Sequence, residues 1–285
     1  MSGDLVVRWL ELLGGFSVLL QCFEYARITA STDAHGVWAW QVQRADIPDR
    51  PAWLKRSLDW LYQPVLYKMQ LWVRALAAVA LMVAGNHLAI ALLLFVGNLL
   101  LLIRWRGAFN GGSDFMTLIT ASGLLIAQVV ERFTDAQTGW SAGLGYIAIQ
   151  TLSSYFVSGW VKLKRPEWRN GEALPVFLNS GLYGPLQADS VFRRPVVALV
   201  CSWAFILWEG LFPLVLVFPD WTSVFVGVAL LFHFLVFWFF GLNRFFWATM
   251  FLPSYEFFLI NYKNICTALY DFLPLLMLCA LQLTA

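Results

Sequence analysis

An all-α, polytopic membrane helix bundle with about eight spans is the fold this sequence predicts, and three observations predict it. The 285-residue chain is 60% hydrophobic. Only 13% of it is charged, against about 25% in ordinary soluble domains. Its apolar residues fall into runs long enough to cross a hydrocarbon core of about 30 Å. No alternation of apolar and polar residues in segments of about ten argues for a barrel, whereas a helix satisfies its own backbone in lipid.

The runs place spans at 5–27, 67–85, 87–104, 114–131, 142–163, 195–218, 222–250 and 264–283. The first is read as a retained helix: Asp4, Arg8, Glu11 and Glu24 interrupt it, and no small-residue cleavage site follows. The stretch 28–66 contains Pro48, Pro51 and Pro64, and an amphipathic piece from Trp53 to Leu61 with Lys55 and Arg56 that reads as an interfacial helix. Gly85-Asn86-His87 is a tight turn that makes the second and third spans a hairpin. The Gly, Pro and Asn content of 164–194 marks irregular structure. No polar stretch is long enough for a second, soluble domain, so 1–285 reads as one transmembrane domain.

With eight spans, nearly all of the 19 Lys and Arg residues fall on one side, in 28–66, 104–113, 164–194 and 251–263, while Arg8 and Arg132 lie on the other. The positive-inside rule puts that basic side in the cytoplasm and both termini outside, provided the first helix spans. A net charge of +2 is too small to point to nucleic acid. Cys22, Cys201, Cys266 and Cys279 fall in or beside apolar runs, without CxxC spacing or a His/Cys cluster, so neither a disulfide framework nor a metal site is expected.

Ionisable groups in lipid cost several kcal/mol in most estimates and face a cavity or a partner. The candidates are Glu11, Glu24, Arg74, Asp114, Glu209, His233 and Asp271. Each has a plain structural reading. Arg74 is near enough to a helix end to snorkel, and Asp114 suits the start of the fourth span as a cap. Glu209 and His233 can be interhelical hydrogen-bond partners. Pro213 frees a backbone carbonyl near Glu209 and is placed to kink that helix. Lys162 closes an aromatic-rich apolar run, where a lysine is either an anchor or a reagent.

The segment from Tyr155 through Ser158, Gly159, Trp160 and Lys162 to Leu163, followed by Trp168 and Gly171, resembles the hallmark of the membrane domain of vitamin K-dependent γ-glutamyl carboxylase. That family includes bacterial stand-alone relatives called HTTM domains. Phe232-His233-Phe234, then Gly241 through Phe246 and Met250 through Pro253, resembles its histidine-bearing helix and the glycine–aromatic segment after it. Asn110-Gly111-Gly112-Ser113-Asp114, and Glu209 with Pro213, match in the same order, so the likeness covers roughly 5–260. In the carboxylase the matching lysine deprotonates vitamin K hydroquinone. The oxyanion reacts with oxygen, and the strong base that forms abstracts a glutamate γ-proton, after which carbon dioxide adds. An apolar wall favours the neutral, basic amine of a lysine.

The resemblance thus implies an HTTM-like integral membrane protein of the bacterial inner membrane. Lys162 would be the base, with His233 and Glu209 orienting or polarising. Tyr155, Trp160, Asp114 and Phe245 would lie around a pocket for a vitamin K-like hydroquinone. On this reading the chain is a carboxylase-like lyase or oxidoreductase. The alternative is a non-catalytic accessory membrane protein that assists maturation or export of a partner peptide or protein, with Lys162 as a structural or ligand-binding cation.

Overall fold

The computed structural model describes residues 3–33, 36–46, 50–106, 111–180, 185–242, 244 and 246–247. Within them all regular secondary structure is helical, with long helices α1 (Gly3–Arg27), α2 (Pro64–Ala84), α3 (Leu88–Trp105), α4 (Gly111–Glu131), α5 (Ala136–Lys164), α6 (Pro195–Leu211) and α7 (Thr222–Phe240). Six stretches among the described residues are long and apolar enough to cross a membrane: Leu5–Arg27, Pro64–Ala84, Leu88–Trp105, Gly112–Glu131, Pro195–Leu216 and Pro219–Phe240. The protein is therefore a multi-pass membrane helix bundle. The expected span 142–163 falls within α5, which is long but less apolar because Ser, Thr, Gln and Gly recur along it. The expected span 264–283 lies outside the described residues.

Local chemistry sets the helix ends. Pro64 starts α2, where a missing N–H costs nothing. Gly85, with φ +83°, turns the chain into α3, and the Asn86 amide donates to Glu11 Oε1 at 2.7 Å. This is the expected hairpin. Asp135 caps α5 by accepting from the Thr138 amide at 3.0 Å. Pro213 does more than kink: α6 ends at Leu211 and a 3₁₀ segment, Phe212–Leu216, replaces it. The seventh span is shorter than expected, because α7 stops at Gly241, which is left-handed at φ +66°.

Helix α5 is the spine of the molecule. Its first half lies against α4 through a Gly139–Gly143 pair: a Cβ on Gly139 would meet the Ala127 carbonyl at 2.6 Å, and one on Gly143 the Gly123 carbonyl at 2.5 Å. Small residues at this spacing let membrane helices approach closely. Its last third carries α6 instead, where a Cβ on Gly159 would land on the backbone of Gly210. The main apolar core runs from Leu10 and Leu81 through Ile147 and Tyr155 to Val226 and Ala229, with α6 adding the half-buried Trp208.

The described residues between α1 and α2 form a cap at the end of the bundle where α1 finishes and α2 starts. It contains Thr29–Thr32, Trp40–Gln43 and the amphipathic helix Ala52–Leu61, which buries Leu58 and exposes Trp53 and Trp60. Arg104, 1% exposed, pins this cap. It donates to the Trp38 carbonyl at 2.6 Å, and its guanidinium lies 5.2–5.9 Å from the rings of Trp40, Tyr62, Tyr67 and Trp105.

Candidate functional site

Lys162 lies on the face of α5 that also carries Tyr155, Ser158 and Gly159, one to two turns earlier. Its Nζ is 2.5 Å from Glu209 Oε2 and donates to Ser158 Oγ at 2.7 Å. The Trp168 ring centroid is 5.2 Å away. Glu209 is 3% exposed and Lys162's side chain 17% exposed. Glu209 lies roughly 21 Å along α6 from Pro195. The lysine at the sequence end of α5 therefore meets the far part of α6, away from the basic residues that precede Pro195. The close approach of Gly159 to Gly210 makes this reach short.

Lys162 forms part of the wall of a cavity of about 530 Å³. The rest is almost wholly apolar: Trp168 and Phe177 from the 164–194 segment, Phe205 from α6, and Phe232, Phe239 and Phe240 from α7. That segment, expected to be irregular, contributes the short helices Pro166–Arg169 and Ala173–Asn179. It is fastened to α6 by the Trp203 indole donating to the Arg169 carbonyl at 3.1 Å. Helices α6 and α7 meet near Phe212 and Phe225 (5.3 Å) and at Phe205 and Phe232 (5.4 Å), and the cavity opens beyond.

The other expected site residues divide. Tyr155 is buried, stacked on Phe212 at 4.2 Å, and its hydroxyl is 2.7 Å from His233 Nε2. His233, 3% exposed, is behind the cavity wall, while its neighbour Phe232 is in the wall. Trp160 is 47% exposed and faces outward, stacked on Phe156 with the Lys164 ammonium 5.0 Å from its ring. It does not line the cavity, because two residues before Lys162 a helix presents another face. Phe245 lies outside the described residues.

Asp114 belongs to a second cluster. Its carboxylate accepts from Gln21 Nε2 at 2.6 Å, Tyr25 Oη at 2.9 Å and Arg244 Nη1 at 3.0 Å. Arg244 Nε is also 2.7 Å from Glu24 Oε2, and its guanidinium lies 4.8 Å from the Tyr25 ring. Arg74, expected to snorkel, is 2% exposed and donates to Gln21 Oε1 at 2.5 Å and to Asn98 Oδ1. The reason is positional: α2 begins at Pro64, which leaves Arg74 midway along it, facing two amide acceptors. Composition offered no signal for Arg244 or Gln21 as partners of Asp114. Both become visible only when α1, α4 and the chain after α7 converge.

Among the described residues no three His, Cys, Asp or Glu side chains converge as a metal site would require. No family model, curated protein or solved structure matches the chain. The likeness to the carboxylase membrane domain therefore rests on the motifs themselves.

Proposed function

We propose that the cavity beside Lys162 is a ligand site of the HTTM, carboxylase-like kind, taking a quinol or another lipophilic molecule, with Lys162 acting on the ligand's hydroxyl. The observation that carries this is the position of the amine: in the wall of an aromatic cavity, held by Glu209 and Ser158, instead of extended to the headgroups. Fixing the nitrogen with two partners leaves its remaining direction for the ligand. The Lys162 ammonium passes one proton to the Glu209 carboxylate, the ligand hydroxyl gives its own proton to the amine so freed, and the apolar wall excludes the water that would compete for it. Glu209 also positions the amine, and the Tyr155–His233 pair backs the wall at Phe232, with Phe212 stacked on Tyr155 behind it. The basic cap and the 164–194 segment face the cytoplasm in this reading.

The test is hydroquinone-dependent oxygen uptake by purified protein in nanodiscs, with Lys162→Ala alongside. Uptake that vanishes in the variant while helicity is retained supports the base. No uptake above spontaneous quinol oxidation, across several quinols, removes the catalytic reading and leaves a binding or peptide-maturation role for the same cavity.

A further inference from the structure

The chain that leaves α7 has two neighbours. Before and just after Gly241 it supplies Phe239, Phe240 and Leu242 to the cavity wall. Two residues beyond Leu242, Arg244 lies in the buried cluster, bonded to Asp114 and Glu24. Gly241, at φ +66°, ends α7 and bends the chain within this wall segment, ahead of Leu242 and Arg244, in a conformation that side chains other than glycine rarely adopt. Asp114's side chain is 0% exposed and Arg244's 5%, whereas Glu24's is 32% exposed. Asp114 stands in the first turn of α4 and Glu24 in the last turns of α1, so the arginine is held from two helices that do not touch the cavity.

From this we infer that the Asp114–Arg244–Glu24 cluster is a clamp on the cavity wall: Asp114 is a positioning residue, acting through Arg244 on the α7 exit, and not a ligand contact. The inference rests on the cavity being the ligand site only for its functional consequence, since the wall can be read directly. A buried carboxylate that loses its cation is strongly disfavoured, so the bend at Gly241 is held as long as the pair is intact. Releasing Arg244 frees Phe239, Phe240 and Leu242 together, because they belong to the same turn of chain. Sequence position alone gives no reason for a residue at 114 to shape a wall made by 239–242.

Cys201 reports on the wall, because it lines the same cavity from α6. In the full chain with Cys22, Cys266 and Cys279 replaced by Ala, in nanodiscs, the rate at which N-ethylmaleimide modifies Cys201 is measured by mass spectrometry. Asp114→Asn and Arg244→Gln are expected to raise that rate about tenfold, which corresponds to ~1.4 kcal/mol of easier opening. The double variant should be no faster than either single one. Glu11→Gln, which disturbs the buried carboxylate paired with Arg8 and the Asn86 amide, should leave it unchanged. Should Asp114→Asn fail to fold, Glu24→Gln, at the most exposed member, should give a smaller increase in the same direction. Unchanged labelling in the clamp variants, or an equal rise in Glu11→Gln, overturns the clamp. Protection of Cys201 by a naphthoquinone in the otherwise unchanged reporter protein tests the ligand reading separately. If the clamp variants accelerate labelling but no quinone protects, the clamp stands and the ligand assignment falls.

Discussion

The ion pairs at Lys162 and at Arg244 differ in what surrounds the cation. Lys162 pairs with one carboxylate, and its side chain is partly exposed to a cavity. Arg244 pairs with Asp114 and Glu24 and has the Tyr25 ring beside it. A guanidinium distributes several donors in a fixed plane and suits a closed junction, whereas a single ammonium on a flexible stem can keep one direction for a ligand. The difference teaches that a buried charge in a membrane helix is not by itself a site. What separates the two is an apolar cavity on one side of the lysine, while packed protein surrounds the arginine.

That contrast can be broken most directly at Arg244. Arg244→Ala leaves the Asp114 carboxylate buried without its cation and is expected to cost about 3–5 kcal/mol of stability. Unfolding in detergent measures this, and a loss similar to that of Glu209→Gln would erase the distinction. Glu209→Gln is expected to cost less, about 1.5–3 kcal/mol, the range for a hydrogen bond to a charged group. It should also weaken quinol-dependent uptake, since Lys162 loses the group that fixes it.

Gly159→Ala comes next, at about 1–3 kcal/mol for overpacking. Its new Cβ meets the Gly210 backbone and pushes α6 off α5. It should lengthen the Lys162–Glu209 contact and impair ligand binding, yet leave the Arg104 cap intact. Equal damage to both halves of the molecule would show that α5 does not separate them.

The smallest effect is expected at Asp135, on the exposed turn before α5. Hydrogen bonds from the Thr138 amide, and from its hydroxyl at 2.8 Å, hold this carboxyl below its ordinary value. A depressed folded value contributes stability above the unfolded value, and that contribution is lost as pH falls through the folded one. The gap in thermal midpoint between the protein and Asp135→Ala should therefore narrow in acid. A gap that stays constant with pH would mean the cap contributes nothing through its charge.

The helical class was legible because apolar run length and a low charge content report directly on the solvent a chain requires. The Gly85 turn was legible for a similar reason, since it depends on neighbours in sequence. Arg74 was misread as a snorkelling residue because its fate depended on Gln21 and Asn98, acceptors on two other helices. Trp160 and Lys162 are two residues apart, yet one faces outward and the other the cavity, a matter of helical phase that composition does not carry. The Gly139–Gly143 pair is visible in sequence, but its partner helix is not.

By itself, then, the sequence determined that this protein lives in a membrane, is built of helices and carries a small set of charges that lipid would not tolerate unpaired. Only the tertiary structure decided which charges meet. It brought Lys162 to Glu209 through two glycines, and it took Asp114 away from that site to Arg244. Helix formation is a local matter of backbone and solvent, whereas the pairing of ions depends on which helices lie side by side and at what height, and that is set by the packing of the whole bundle.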